Sequence, residues 1–586
     1  MKKIEILNAR RRREKHFLRE DGIIEAYVYD RDIHFLNNNV YDEIDNTLIE
    51  ENEEFHNKRN AFKATFNKKN LLKVEKDNFY LVVNINNNKI NFPKKIKKNK
   101  DVIEFNKVFN NIDIDYNLEG EKIKESIILK DKEDVLEKIV FNIDTNLLLS
   151  IKDNKIYASN GTEDIFIIEK PFMVDNKGII NNNIFYNLNN NKLELMLDRK
   201  WLLDNAREYP VIIDPTITNS SSENNVYDTF IYEGDTNVDR NNQQVLLVGV
   251  DSSNKVYRSL LKFELPTIGT GSQIINAYVN LIGYPVAYNS PTLNYSYIDA
   301  YKVTTDWDES TANWNTMHDK YDSRMETYSY YYPSKSVANE IVDVGYNTVN
   351  ITNLVKKWYS GEPNYGIMLK AHVENTDLND DVCRYFSKNN TVTGDNPKPL
   401  LIITYRNANG LEDYMSYQNI SFAEGSTYIN SYNGNLISAF DIISTIGGKF
   451  PSNIVMYYNT NDVVLNNNYG YGLGYKLNYH QLIKEVTIDN TNYLEYLDED
   501  GTLHYFNKNT DNSKYYDEDN LNLTIEKTNN LYIMTNKYGE SLEFTINNNI
   551  GYLTKITNSD NLSHSIEYDN LNRITKVTDG NSNTIN

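Results

Sequence analysis

The stretch Leu553-Thr554-Lys555-Ile556-Thr557-Asn558 recurs as Ile574-Thr575-Lys576-Val577-Thr578-Asp579, an offset of 21 residues. Tyr532-Ile533-Met534-Thr535-Asn536 is a looser copy, with Thr535 lying 22 residues before Thr557. A period of this length holds about two strands and two turns, so each unit is a hairpin that cannot bury its apolar face alone. Units of this kind are predicted to stack edge to edge into one sheet, covering Leu553, Ile556, Ile574 and Val577. The pattern stops in mid-unit at Asn586, so the chain reads as the front end of something longer.

Outward from the repeat, the rest of the chain also reads as strands. Short β-branched and aromatic runs such as Tyr80-Leu81-Val82-Val83-Asn84-Ile85 and Leu400-Leu401-Ile402-Ile403-Thr404-Tyr405 alternate with Asn, Asp and Gly turns. Many short strands with frequent turns point to sandwiches and stacked sheets. One stretch shows helical spacing: Ile351, Leu354, Val355 and Trp358, with Thr352 as its expected cap. The polar run Thr218-Asn219-Ser220-Ser221-Ser222-Glu223-Asn224-Asn225 reads as a linker, and a second boundary falls near Arg406–Gly410. The expected organisation is all-β and multi-domain, with units at 1–217, 226–406, 407–530 and 531–586.

Bulk properties narrow the function. The 586 residues correspond to roughly four domains. Lys plus Arg is 61, Asp plus Glu is 82, and the net charge is −21. So acidic a chain is a poor partner for nucleic acid or anionic lipid, which both require a positive field. Cys383 is the single cysteine, which excludes internal disulfides and cysteine-cluster metal sites. No apolar run is long enough to span a membrane. The first 21 residues are charged and lack the apolar core of a secretory signal, which leaves the export route open. Tyr is 46 of the residues against 4 Trp, a bias suited to strands with one wet face. The abundant Asn reads as codon bias.

The run Ile566-Glu567-Tyr568-Asp569-Asn570-Leu571-Asn572-Arg573-Ile574-Thr575-Lys576-Val577 resembles the YD repeat of RHS/YD-repeat proteins. Asn572 stands where that pattern has glycine, a tolerable change because Asn also accepts positive φ. Tyr457–Asp462, Gly470–Tyr475 and Asp498–Phe506 resemble the lead-in segment of the same proteins, assigned to 407–530. Residues 226–406 resemble the DNRLRE module, a carbohydrate-binding-like β-sandwich. The anchors are Tyr257–Phe263, Ile275–Val279, Trp307-Asp308-Glu309 with Trp314-Asn315, Val349–Thr352 and Trp358–Ile367. Ile33–Phe35, Ile44–Leu48, Trp201-Leu202 and Tyr209–Pro215 resemble the leader of wall-associated YD proteins of Gram-positive bacteria. The resemblance implies a β-rich leader, an adhesive or targeting sandwich, and the first repeats of a YD shell. In complete members such a shell encloses a C-terminal toxin, so a downstream toxin domain and its immunity protein are implied partners.

Catalytic signatures are missing from the sequence. The eight histidines hold no zincin spacing, and no Gly-x-Ser-x-Gly elbow or Gly-x-x-x-x-Gly-Lys loop occurs. His372 lies eleven residues from Cys383, but an inert thiol is the simpler reading. The candidate carbohydrate-binding residues are Tyr295, Tyr297, Tyr328, Tyr330 and Tyr331, whose rings could stack on sugar C–H faces. Trp307, Trp314 and Trp358 are expected in the core, with Glu309 holding a loop. Asp377, Asp380 and Asp381 are candidate calcium ligands, against a plain solvated loop. The Asp498-Glu499-Asp500-Gly501 cluster reads as a hairpin turn. The basic runs Arg10–Arg13 and Lys94–Lys100 read as solvated surface.

The expectation is therefore a non-enzymatic adhesion or targeting segment, extracellular or cell-wall associated. It would bind polysaccharide or wall glycan, with no cofactor other than possible calcium, and lead into a toxin-enclosing shell. Two alternatives remain: a stand-alone polysaccharide-binding surface protein, or the binding part of a polysaccharide-degrading enzyme.

Overall fold

The computed structural model describes residues 3–586 apart from 20–21, 86–90, 98–100, 110, 178, 220–224, 269–271, 288–296, 338–339, 375–380, 391–397, 407–408, 413–414, 432–433, 489–490, 509–513 and 518–520. The strands fall into several sheets, and the fold is all-β and multi-domain as the patterning predicts. No helix among the described residues is long and apolar enough to cross a membrane. Most of the expected linker, residues 220–224, lies outside the described residues.

Two sheets between Asp45 and Asn219 share one core. An eight-stranded sheet runs from Asp45–Glu51 through Phe79–Asn84 and Lys138–Thr145 to Phe185–Asn189. Its partner of eleven strands includes Ile112–Glu119, Lys122–Leu129 and Ile217–Asn219. Phe66, Phe141 and Leu195 from the first sheet meet Tyr116, Ile127 and Ile213 from the second, all buried. The period of two is plain in Lys122–Leu129, where Ile123, Glu125, Ile127 and Leu129 point inward.

Glu125 breaks the apolar rule. Its partner across the ladder is Tyr116, whose hydroxyl donates to the Glu125 carboxylate. Burial pushes the Glu125 carboxyl up to about 7. A carboxyl whose folded pKa lies above its unfolded value stabilises the fold at low pH. That contribution is lost as pH rises from about 4.5 to about 7. Glu125→Gln keeps an acceptor for Tyr116 and removes the titration. It is expected to raise the melting temperature at pH 8 and to flatten the stability profile across that window. The gain is up to about 3 kcal/mol, at about 1.4 kcal/mol per unit. Thermal melts between pH 4 and 8 check this.

The middle module is a sandwich whose layers are joined by one long strand, Gln273–Ala287. Its first part pairs with Leu400–Arg406 and Tyr346–Asn350, and its last part with Pro333–Val337. A strand that passes between layers makes the corner of a sandwich. Val279, Leu401 and Ile403 of one layer pack with Leu246, Val248, Leu261 and Leu369 of the other. The predicted helix forms as Thr352–Tyr359 and buries Leu354, Val355 and Trp358. Thr352 does not cap it. Ile351 occupies the cap position, and the Thr352 hydroxyl instead accepts from the Ala277 N–H at 2.9 Å.

The first strands depart from the expected 1–217 unit. Glu14–Arg19 and Ile24–Val28 extend the module's sheet, with Ile24 opposite Tyr405, Ala26 opposite Ile403 and Val28 opposite Leu401. Ile24, Ala26 and Val28 are buried in the module's own core. The reason is an open edge at Leu400–Arg406, which a strand of matching pattern can cover.

The chain then forms a five-stranded sheet from Tyr417–Phe422 to Tyr475–Leu477, followed by eleven strands paired in sequence order. The repeated segments are two of these strands, Ile550–Thr557 and Ile574–Thr578. The array is not a simple ribbon. Leu482 pairs with Tyr552 and Ile483 with Gly551, which closes the first eight of the eleven strands on themselves. Strand Ile550–Thr557 gives its beginning to that closure and its end to Ser563–Tyr568. The interior is filled by Ile483, Leu494, Phe506, Ile525, Met534, Phe544 and Leu553. Gly551 sits where a Cβ would lie 2.8 Å from the Tyr532 ring, so the closure depends on a residue without one.

One turn recurs along this sheet. The side-chain oxygen of Asn536 accepts from the N–H groups of Tyr538 and Glu540, and Gly539 has positive φ. Asn558 accepts from Asp560 and Leu562, with Asn561 at φ 61°. Asp569 accepts from Leu571 and Arg573, with Asn572 at φ 58°. Asp579 accepts from Asn581 and Asn583, with Ser582 at φ 71°. An Asx oxygen reaching two and four residues ahead holds the bend while the third residue adopts the left-handed region. Here the Asn and Asp content has a structural use beyond genome bias.

Candidate functional site

The tyrosine cluster of the module is brought together in part. Tyr297 opens the strand Tyr297–Val303 and lies opposite Tyr330, the last residue of Tyr321–Tyr330. Their rings are 4.5 Å apart and their hydroxyls 2.9 Å apart. Tyr328 lies 5.8 Å from Tyr297, and Tyr332 lies 6.5 Å from Tyr330. Tyr297, Tyr328, Tyr330 and Tyr332 are each 39–54% exposed. His372 flanks them, its ring 5.9 Å from Tyr297 and its Nδ1 3.0 Å from the Asp299 carboxylate. The hydrogen bond with Tyr297 pushes the Tyr330 phenol up, so that hydroxyl stays protonated at neutral pH.

Tyr331 is corrected. It is 4% exposed, and its hydroxyl donates to the Arg384 carbonyl at 2.8 Å. Successive strand residues face opposite sides, so Tyr328, Tyr330 and Tyr332 share the wet face while Ser329 and Tyr331 face inward. Tyr332 and His372 are the surface members that the sequence reading missed. The alternation in Tyr328–Tyr332 was the signal for Tyr332; His372 had none. Tyr295 lies outside the described residues.

Asp377 and Asp380 also lie outside the described residues, and Asp381 is placed only as the first residue of strand Asp381–Phe386. Cys383 is buried in the module core, and the His372 ring is bound to Asp299. Trp307 and Trp358 are buried, and Trp307 Nε1 donates to the Tyr365 carbonyl. Trp314 is only partly buried, stacked on His318 with the Arg258 guanidinium 5.0 Å from its ring. Glu309 accepts from the Asp228 N–H at 2.6 Å and from Lys388 at 2.7 Å, which fixes its loop.

A polar cleft of about 790 Å³ lies where the first sandwich meets the module. Lys398 crosses it to Asp30 at 3.0 Å and Glu119 at 2.6 Å, both partners buried. Burial and the neighbouring Arg13 and Lys124 charges push Lys122 down to about 8. Gly120, at φ +58°, lies where a Cβ would come within 2.6 Å of the Asp32 carbonyl. This junction is a charged lock between domains.

A second junction joins the segment that follows the module to the last sheet, with the Leu411 N–H donating to Asp500. Asp498 Oδ1 accepts from the N–H groups of Asp500, Gly501 and Thr502 at 2.8–3.1 Å, so this cluster is the hairpin turn expected. Lys476 is buried beneath it and donates to the carbonyls of Asp498 and Glu499. Burial raises the Asp498 carboxyl, but the His504 hydrogen bond and the Lys476 charge outweigh this and hold it below its usual value.

Residues 219–405 match Carbohydrate-binding module family 96, a span that contains the whole tyrosine face. The tRNA3(Ser)-specific nuclease WapA of Bacillus spizizenii is 28% identical over 327 residues, 53% of this chain and 13% of that protein. The tRNA(Glu)-specific nuclease WapA of Bacillus subtilis subsp. natto is 27% identical over the same shares. The tRNA nuclease WapA of Bacillus subtilis matches likewise at 27%. The chain thus spans only a small part of the length of these curated relatives.

Proposed function

We propose that this chain is a non-enzymatic polysaccharide-binding segment of a cell-surface or secreted protein. The observation that carries the reading is the exposed face of Tyr297, Tyr328, Tyr330 and Tyr332 inside the span that matches a carbohydrate-binding module. Aromatic faces pack on sugar C–H surfaces, and the phenol and His372 edges supply hydrogen bonds at the rim. We further read the segment as the targeting part of a longer, wall-associated protein with a toxic activity elsewhere. The relatives' nuclease names and the small share of each that is matched support that extension.

The test is retention on insoluble wall polysaccharide and on a glycan array. Tyr297→Ala with Tyr330→Ala is expected to weaken binding roughly tenfold, at about 0.5–1.5 kcal/mol per aromatic contact, while the melting temperature stays unchanged. Tyr331→Ala is expected to destabilise the module instead. No retention of the wild type on any polysaccharide would leave the module as a spacer.

A further inference from the structure

We propose that Glu412, Asp498 and His504 form a zinc site that pins the segment following the module to the last sheet. One ligand atom of each lies within 4.8 Å of the others. His504 Nε2 is 3.2 Å from Asp498 Oδ2 and 3.7 Å from Glu412 Oε1. In a tetrahedral site with bonds of about 2.0–2.1 Å the ligand atoms stand about 3.3 Å apart, so little movement is needed.

Each ligand is held independently of a metal. The Asp498 oxygen that faces away from His504 is fixed by three backbone N–H groups, which aims Oδ2 at the imidazole. The His504 ring stacks on Tyr496 at 5.8 Å and 29°. The third ligand arrives on a separate segment. Leu411 N–H donates to Asp500 Oδ2 at 3.0 Å, and Glu412 N–H donates to the Tyr417 hydroxyl at 2.9 Å. Gly410 lies so close to the hairpin that a Cβ there would fall within 1.9 Å of Asp500 and Thr502 side-chain oxygens. Two carboxylates and one imidazole, with a fourth position for water, suit zinc; calcium prefers an all-oxygen set.

The competing arrangement is an imidazolium held between two carboxylates, and titration separates the two. The full chain, stripped with chelator, is titrated with zinc chloride at pH 7.5 by calorimetry, and separately with calcium chloride. One zinc per chain is expected, with a zinc-dependent rise in melting temperature and a tetrahedral visible spectrum when cobalt replaces zinc. His504→Gln is expected to lose all three, and Glu412→Gln to weaken zinc binding more than about tenfold. Zinc binding by the wild type no stronger than by His504→Gln, or calcium bound in place of zinc, overturns the site. If His504→Gln does not fold, the partly exposed Glu412→Gln decides, and an unchanged zinc affinity overturns the proposal.

Discussion

Deletion of residues 1–30 is expected to lower the melting temperature of the middle module by about 10–20 °C, although the deleted residues lie nearly 200 positions upstream of it. Strand Ile24–Val28 makes a five-residue ladder with Leu401–Tyr405. Its Ala26 and Val28 are fully buried and Ile24 nearly so. Burying each of the two large side chains stabilises by about 1.5–3 kcal/mol. Removing the strand also uncovers Leu401, Ile403 and Tyr405, all buried in the intact chain. The Tyr405 hydroxyl loses its partner as well, because its 2.8 Å hydrogen bond is to the His16 ring. A loss of about 5 kcal/mol corresponds to about 2–4 °C per kcal/mol in a domain of this size. Ala26→Asp is the point-mutant version, since it buries a carboxylate at a position with no room for solvent. Calorimetry of the full chain, the deletion and Ala26→Asp checks this. A deletion that melts where the wild type does would show that residues 226–406 are complete without the upstream strands.

What the sequence shows and hides follows from the distance between interacting residues. The hairpin array was legible because its signal is local: Leu553-Thr554-Lys555-Ile556 and its copy at Ile574 repeat within one period. Closure of that array was not, because Leu482 and Tyr552 are 70 residues apart and Gly551 looks like an ordinary turn residue. The join between Val28 and Leu401 is still more distant, and the pattern Ile24-Glu25-Ala26-Tyr27-Val28 fits any open edge. At the tyrosine face the strand alternation that puts Tyr328 and Tyr330 on one side also turns Tyr331 inward. The helix at Thr352 shows the converse. Its apolar face was readable from spacing, whereas the hydroxyl of Thr352 chose the Ala277 N–H on a strand 75 residues upstream. The Asn and Asp residues were legible as turns, but their shared geometry was not: Asn536, Asn558, Asp569 and Asp579 all make the same bend.

Lys476→Met is expected to destabilise the last sheet and its join to the segment that follows the module by about 3–5 kcal/mol. Lys476 is 2% exposed, and its ammonium donates to the carbonyls of Asp498 at 2.6 Å, Glu499 at 2.8 Å and His480 at 3.4 Å. Methionine fills most of the volume, so the loss is chiefly that of donors. Three carbonyls then face an apolar chain, and each unpaired buried acceptor costs about 1–3 kcal/mol. The effect should spread beyond the hairpin. Asp500 holds the Leu411 N–H, and the Gly410 backbone is packed against Asp500 and Thr502. A hairpin that shifts to solvate Asp498 and Glu499 therefore loosens 410–412 too. Hydrogen exchange should report both, with faster exchange at Leu411 and at 500–502 in the variant. The control is Lys576→Met, which removes an exposed pair with Glu567 and should change stability by less than about 1 kcal/mol. If Lys476→Met melts with the wild type while Leu411 keeps its protection, the hairpin is held by the Asp498 and Asp500 turn bonds alone, and the buried ammonium is a tenant of the junction rather than its support.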